Sequence, residues 1–420
     1  MRFICSTFGS SGDVFPMLGL AIQLRDRGHD IIFATNGHYQ DVVRDNSLPF
    51  ESLGDEEEFI QCVSNPDLWN PRKAFPHLFD SLKAVLPRQY EIHKRLSASG
   101  PIIGITNCLG LGALMAQDVL NIPVVTLHLQ PAVLWSDIDP PALLGINGPR
   151  WFNRLLLWSG EKFAIDPVVC PFMNRWRSDH NLPPIRNTMR WWNSPFGVLC
   201  MFPQWYAKPQ SDWPRNLIQT DFPLWNNRSD QRLDWEVESF LASGDAPIVF
   251  TPGSGNIHGR AFFQAAVKAC VALNRRAILL SEFAEHIPKS LPPGIVHFSY
   301  VPLDQLLPRS AAFVHHGGIG STSQAILAGI PQLLTPLAHD QFDNAHRAKT
   351  FGISETIPMS KLNSRKLKTA LSSLLTNPSI IAKCEDYSVR LQSRDGLTRS
   401  AIAIEELAAK PTTFRTTSLN

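Results

Sequence analysis

The stretch Val314-His315-His316-Gly317-Gly318-Ile319-Gly320-Ser321-Thr322-Ser323 constrains the fold more than any other part of the chain. The apolar run Ala311 to Val314 predicts a buried strand, and Ser321 to Ala328 has helical composition, with Gly329 placed to stop it. Strand, glycine turn and helix in that order aim free backbone N–H groups and the positive end of a helix dipole at an anion. His316, Ser321 and Thr322 can add side-chain hydrogen bonds around the turn. The stretch predicts a diphosphate cradle.

The same grammar opens the chain. Arg2 to Phe8 predicts a strand, Gly9 to Asp13 a turn, and Val14 to Arg27 an amphipathic helix with Pro16 in its first turn and Gly28 as its stop. Ile31 to Thr35 is the next strand, so the unit is β-α-β and implies a parallel sheet. Strands at Ile102 to Thr106 and Pro123 to Leu127 flank a helix from Gly110 to Leu120. Residues 130 to 215 break the alternation with proline- and tryptophan-rich text, within which Trp151 to Trp158 predicts an apolar helix with basic punctuation. That helix suits either ordinary packing or contact with a lipid surface.

A second β/α run follows: strand Pro247 to Thr251, glycine turn Pro252 to Gly255, helix Ala261 to Leu273 and strand Ala277 to Ser281. Further strands are expected at Val296 to Tyr300 and Pro331 to Thr335, and helices from Gln341 to Phe351, Ser360 to Leu375, Ile380 to Leu391 and 399 to 408. The chain thus divides into residues 1–222, a polar connector at 223–245, a second domain at 246–390, a helical tail at 391–410 and a polar end at 411–420. Two α/β domains with separate parallel sheets place the expected site in the cleft between them, beyond the carboxyl ends of the strands.

Composition removes several alternatives. The 420 residues allow two or three domains. A net charge of +2, from 39 basic and 37 acidic residues, lacks the basic surplus of a nucleic-acid binder. The 7 cysteines are scattered without a C-x-x-C pair, which argues against a zinc site or a disulfide framework. No apolar run approaches the roughly 20 residues that span a bilayer, and the polar N-terminus is unlike a signal peptide. A cytoplasmic protein is expected, and the sequon at Asn227-Arg228-Ser229 is expected to be idle. Of 11 tryptophans, nine fall between residues 135 and 225. Such aromatic surface suits a pocket for a bulky apolar ligand, or an irregular packed subdomain.

Three local patterns carry chemistry, each against a structural reading. Thr251-Pro252-Gly253-Ser254-Gly255 is a second glycine turn that can converge with the first on one phosphate group; neither turn is a Walker loop or a G-x-G-x-x-G fingerprint. Asp340-Gln341 at a helix start can hold sugar hydroxyls, or Asp340 can simply cap. Asp13 beside a helix N-terminus is a cap or a general base, and the dipole favours its ionised form. Asp137-Ile138-Asp139 has the spacing of a metal-binding pair, but it precedes Pro140-Pro141 rather than ending a strand, so no metal is assigned.

These residues resemble the GT-B-fold, family 1 glycosyltransferases of the UDP-glycosyltransferase superfamily. The opening Phe8-Gly9-Ser10-Ser11-Gly12-Asp13-Val14-Phe15-Pro16 resembles their first loop. Tyr300-Val301-Pro302-Leu303, His316 to Thr322, Pro331, Pro336 and Asp340-Gln341 resemble their donor signature. The likeness is greatest to bacterial members such as the rhamnosyltransferase of rhamnolipid synthesis, on the blocks Ser194 to Val198, Asp212-Trp213-Pro214 and Ala338 to Ala345. Antibiotic and sterol glycosyltransferases come next.

The resemblance implies two Rossmann-like domains and a C-terminal helix returning to the first. It implies an inverting, metal-independent transfer of a hexose from a UDP- or dTDP-sugar to a hydroxyl of a lipophilic or aromatic acceptor, with no cofactor. Asp13 would be the base. Ser254, His316, Gly318, Gly320, Ser321 and Thr322 would hold the diphosphate, Tyr300 and Val301 the base of the nucleotide, and Asp340 and Gln341 the sugar. Phe15, Trp69, Asn107, His128 and Trp135 are the candidates for the acceptor pocket. Asn107 stands where plant members carry an Asp, and Leu303 where they carry Gln. The alternative is a non-catalytic nucleotide-sugar or lipid binding protein on the same fold; a nucleotide-sugar epimerase is a third reading. A nucleotide-sugar donor, a lipophilic acceptor and peripheral contact with a membrane are the expected partners, and no nucleic acid.

Overall fold

The computed structural model describes residues 1–70, 73–142, 148–225, 232–253 and 259–410. The chain divides into two compact units, Met1–Pro223 with Asp395–Asn420, and Leu224–Arg394.

In the first unit the described strands are β1 (Arg2–Ser6), β2 (Asp30–Asn36), β3 (Phe50–Gly54), β4 (Ile103–Asn107), β5 (Val124–His128), β6 (Gly197–Cys200) and β7 (Leu217–Gln219). They form one sheet in the order β3-β2-β1-β4-β5-β6-β7, and every pairing is parallel. The central strands are buried on both faces, as parallel sheets covered by helices require: Phe3, Ile4, Cys5, Phe33, Ile105 and Val125 are sealed from solvent. The helix Ser11–Asp26 packs Val14, Met17, Leu18, Leu20, Ala21 and Leu24 inward. It ends where expected, with Gly28 in the left-handed region at φ +88°. It begins earlier than the pattern suggested. Ser10 is its N-cap, Gly12 and Asp13 lie in its first turn, and Pro16 sits inside it rather than at its start.

The region from 130 to 215 is more regular than its proline content implied. It contains the helices Arg150–Gly160 and Asp166–Asp179 and the short strand β6, with β7 just beyond. The helix Arg150–Gly160 exposes Trp151, Leu155 and Trp158, with Phe163 exposed just beyond it. Asp137 does not face an open metal site: its carboxylate is gripped by Arg150 at 2.6 Å and Arg154 at 2.7 Å. Among the described residues no helix is long and apolar enough to cross a membrane.

In the second unit β8 (Ile248–Thr251), β9 (Ala277–Leu280), β10 (Ile295–Phe298), β11 (Ala312–His315), β12 (Gln332–Leu334) and β13 (Ser354–Thr356) form a parallel sheet in the order β10-β9-β8-β11-β12-β13. The segment 223–245 is less of a free connector than its composition suggested. It carries the helix Trp235–Ala242, whose Val237 and Leu241 are buried in the second core.

The last helix, Gly396–Ala408, belongs to the first unit. It packs on the helix Ser11–Asp26, and Glu405 bonds both Arg27 at 2.6 Å and His29 at 2.7 Å. A Cβ on Gly396 would lie 2.3 Å from the Phe222 carbonyl oxygen, so only glycine permits this approach. The expected return of the C-terminal helix is therefore real.

Candidate functional site

Each sheet reverses its strand order once, and ligands of open α/β sheets bind outside the strand ends at such reversals. In the first sheet the reversal falls between β1 and β4; in the second it falls between β8 and β11. Asp13 follows β1 and Asn107 ends β4. The glycine turn at Gly253 follows β8, and His316 follows β11.

At the first reversal Asp13 is the third residue of its helix and half-buried. Its Oδ2 accepts the Ser10 N–H at 3.1 Å. The turn is shaped around that carboxylate. Gly9 has φ +145°, and a Cβ there would stand 2.2 Å from Asp13 Oδ2. Asn107 lies beneath the turn and is buried; its Nδ2 donates to the Thr7 hydroxyl and to the Phe8 carbonyl, both at 3.1 Å, and its Oδ1 accepts the Leu109 N–H at 3.2 Å. Those three bonds make it a brace between β4 and the turn that precedes Asp13.

The other candidates for the acceptor pocket are dispersed. His128 ends β5 and is buried, its Nε2 bonded to Asn193 Oδ1 at 2.7 Å; burial pulls its pKa down to about 4, so it is neutral at pH 7. Phe15 packs edge-on to Tyr39, at 6.0 Å between centroids. Trp69 lies in the turn Pro66–Trp69, and Trp135 is partly buried against the first core. None of the five lines the cavity of about 410 Å³ in this unit, which is bordered by Phe8, Asn36, Phe59, Asn65, His77 and Val85 among others.

At the second reversal the helix Ile319–Ala328 starts from Gly318 and ends at Gly329, φ +70°. The His316 ring is seated between the two glycine turns. A Cβ on Gly253 would lie 2.8 Å from its Nδ1, and one on Gly318 would lie 2.5 Å from its Nε2. His316 is half-buried over the whole residue, but its Nδ1 is enclosed and has no hydrogen-bond partner. Enclosure, with His339 adding to it, pushes its pKa down to about 4. It is thus an uncharged imidazole at pH 7. Its neighbour His315 is fully buried, bonds Gln332 Oε1 at 3.0 Å and accepts the Gly317 N–H at 3.1 Å, so it shapes the turn from below.

Thr322 is also below the surface, with its hydroxyl donating to the Gly318 carbonyl at 3.0 Å. Ser321 is half-buried, and Gly320 is exposed with open space around its Cβ direction. The first amides of this helix have no helical acceptor and face the anion position that the dipole favours. Ser254 lies outside the described residues.

Asp340 and Gln341 begin the helix Gln341–Phe351. Burial raises the Asp340 pKa to about 6, against the Asn344 hydrogen bond that lowers it. Gln341 is buried, and its Oε1 accepts the Leu337 N–H at 2.8 Å and the Ala338 N–H at 3.2 Å. Its carbonyl end therefore holds the loop from β12. Tyr300 is exposed just past β10, whereas the Val301 side chain is sealed in the second core.

Asn344 was not anticipated. It is fully buried, and its Nδ2 donates to the Gly317 carbonyl at 3.0 Å and to Asp340 Oδ2 at 2.7 Å. One amide thus locks the glycine turn to the carboxylate of the neighbouring loop. The signal available in sequence was the i, i+4 spacing of Asp340 and Asn344 on one helix.

Two parallel Rossmann-like domains with the last helix returned to the first define the GT-B architecture. Residues 3–126 match the glycosyltransferase family 28 N-terminal domain, and residues 267–394 match the erythromycin biosynthesis protein CIII-like C-terminal domain. The chain is a sugar-transferring enzyme of the GT-B fold. It is 27% identical to the O-mycaminosyltylonolide 6-deoxyallosyltransferase of Streptomyces fradiae, over 99% of this chain and 100% of that protein. It is 26% identical to a sterol 3-beta-glucosyltransferase of Eremothecium gossypii, over 96% of this chain but only 34% of that longer protein. Among solved structures, the glycosyltransferase of kitacinnamycin superposes with a TM-score of 0.74 at 20% identity, covering 97% of this chain and 98% of that one. The glycosyltransferase VinC, solved in complex with dTDP, superposes with a TM-score of 0.70 at 19% identity, covering 97% and 99%.

Proposed function

We propose that the chain moves a hexose from a dTDP- or UDP-sugar to a hydroxyl of a lipophilic acceptor, with inversion at the anomeric carbon and no metal ion. The observation that carries this reading is the seat of His316 between Gly253 and Gly318, at the strand reversal and at a helix N-terminus. It is supported by a relative named for a tylonolide acceptor, relatives named for sterols, and a similar structure solved with dTDP.

The donor would run along the strand order. Asp340 and Gln341 follow β12 and take the sugar. The β8 and β11 turns take the diphosphate, with Ser254, His316, Gly318, Gly320 and Ser321 around it and Thr322 holding the turn's shape. Tyr300 and the Val301 backbone, beyond β10, take the base. Four strand steps separate β10 from β12, about 19 Å at roughly 4.8 Å per step, enough for an extended nucleotide sugar.

In the reaction, Asp13 accepts the proton of the acceptor hydroxyl as its oxygen attacks the anomeric carbon. The carbon–oxygen bond to the diphosphate breaks, and the nucleoside diphosphate leaves with the electron pair. A single displacement from the opposite face inverts the anomeric centre. The growing negative charge is met by the amides of helix Ile319–Ala328 and by His316, which bonds it as an uncharged donor. Water must be excluded for transfer to win over hydrolysis.

The exposed Trp151, Leu155, Trp158 and Phe163, beside Arg150, Arg154 and Lys162, would rest on a membrane that stores such acceptors. Loss of sedimentation with anionic vesicles in Trp151→Ser/Trp158→Ser would support that contact, and unchanged sedimentation would refute it. The reaction itself is tested by incubating the protein with dTDP- and UDP-hexoses and a panel of alcohols, then reading the product's anomeric configuration by NMR. Inversion is expected. Retention, or isomerised donor without acceptor, would reject the proposal.

A further inference from the structure

Asn36 ends β2 with only 1% of its surface exposed, and neither its amide nitrogen nor its amide oxygen has a hydrogen-bond partner. Buried polar groups are nearly always bonded, so an orphaned carboxamide marks a missing partner. Its aim is set by a bulge. The β2–β3 register slips between Thr35 and Asn36, so that Thr35 faces Ser52 but Asn36 faces Gly54. Bulges of this kind re-aim a side chain, and Asn36 lines the cavity of about 410 Å³ beyond the ends of β1, β2 and β3.

The cavity has an apolar wall of Phe8, Phe59, Ala84 and Val85. Its charged residues are all acidic, namely Asp55, Glu58 and Asp80, with no Lys or Arg among the lining residues. Arg88 pairs Glu58 at 2.6 Å and Lys83 pairs Asp80 at 2.5 Å, both from outside the lining. Gly54 is fitted to that rim, since a Cβ there would stand 2.6 Å from Glu58 Oε2. An aromatic series then runs toward the candidate base. Phe59 meets Tyr39 at 5.7 Å and Tyr39 meets Phe15 at 6.0 Å, while the Tyr39 hydroxyl bonds Ser11 at 3.1 Å, two residues before Asp13.

We propose that this cavity receives the acceptor and that the Asn36 carboxamide is its specificity-determining contact, bonding a neutral hydroxyl that both donates and accepts. No Lys or Arg among the described residues lines the cavity to pair a carboxylate, so the acceptor class is a neutral lipophilic alcohol rather than a hydroxy acid. The proposal rests on the glycosyltransferase reading and names the substrate class of that site.

The test is direct binding without donor, using dehydroergosterol and erythronolide B as neutral alcohols of two shapes, and 3-hydroxydecanoate as a hydroxy acid. The wild type is expected to bind at least one neutral probe saturably and the hydroxy acid at least about tenfold more weakly, and Asn36→Leu to lose about tenfold in affinity for the neutral probe, the discrimination of one satisfied hydrogen bond. Asn36→Ser, with a melting transition recorded for both variants, keeps the test alive if the leucine variant does not fold. The proposal is overturned if neither neutral probe binds the wild type, if the hydroxy acid binds as well, or if the folded variants bind like the wild type. Calorimetry with dTDP on the same samples separates the two readings. Loss of dTDP binding alone removes the donor assignment and leaves the cavity standing.

Discussion

The two strand reversals are built from the same parts and finished differently. At each, glycines clear space for one functional side chain: Gly9 for the Asp13 carboxylate, Gly253 and Gly318 for the His316 ring. Asp13 is completed by its own helix, because the Ser10 N–H already bonds its carboxylate. His316 is left with an enclosed, unpartnered Nδ1 beside helix amides that lack acceptors. The first turn is a finished cap that presents a carboxylate. The second is a set of donors left without acceptors. That contrast supports the proposed roles, a base in one unit and leaving-group contacts in the other.

The strongest way to break the comparison is Gly9→Ala. It places a methyl on a φ of +145° and against Asp13 Oδ2, so turnover should fall by about 10²–10⁴, the contribution of a positioned base, while dTDP binding measured by calorimetry holds. His316→Ala should show the converse, weakening dTDP binding and lowering kcat by about 10²–10³. Asn344→Ala unlocks Asp340 from the glycine turn; a donor KM raised about tenfold, with a stability loss of about 1–3 kcal/mol by thermal melt, is expected.

Acid should act on the donor side. Asp340 is raised to about 6, so below that pH it is protonated and loses acceptor capacity for a sugar hydroxyl. The KM for the sugar donor should therefore rise about 3- to 10-fold as pH falls from 7 to 5, with no contribution from His316, which stays neutral until about 4. The smallest effect sharpens the contrast between glycines. Gly320 has nothing within 4 Å of its Cβ direction, so Gly320→Ala should gain about 0.5–1 kcal/mol in a melt yet weaken dTDP, because the methyl enters the anion's space.

The sequence carried the fold wherever an apolar run meets a clear turn signal. β1, β2, β4, β5 and β8 to β12 are apolar runs followed by turn residues, and periodicity finds them. It missed β6, which lies within the proline-rich text, and β7 and β13, whose Gln219, Ser354, Glu355 and Thr356 leave no apolar run. It also missed β3, whose polar Glu51 and Ser52 break its apolar run, and the helix Ala74–Ser97, whose interior Pro87 reads as a stop. At the site, His316 and Asp13 were legible because each stands beside glycines at a strand end. Asn344 and Asn36 were not. The role of Asn344 depends on contact with Gly317, 27 residues away. The place of Asn36 in the cavity wall depends on a bulge against Gly54.

The division of labour between the units is tested most directly by Asp13→Ala, assayed for sugar transfer and for dTDP binding on the same preparation. The account predicts that kcat falls by at least about 10² with the dTDP Kd unchanged. Transfer at the wild-type rate, or loss of dTDP affinity in step with loss of transfer, would contradict it.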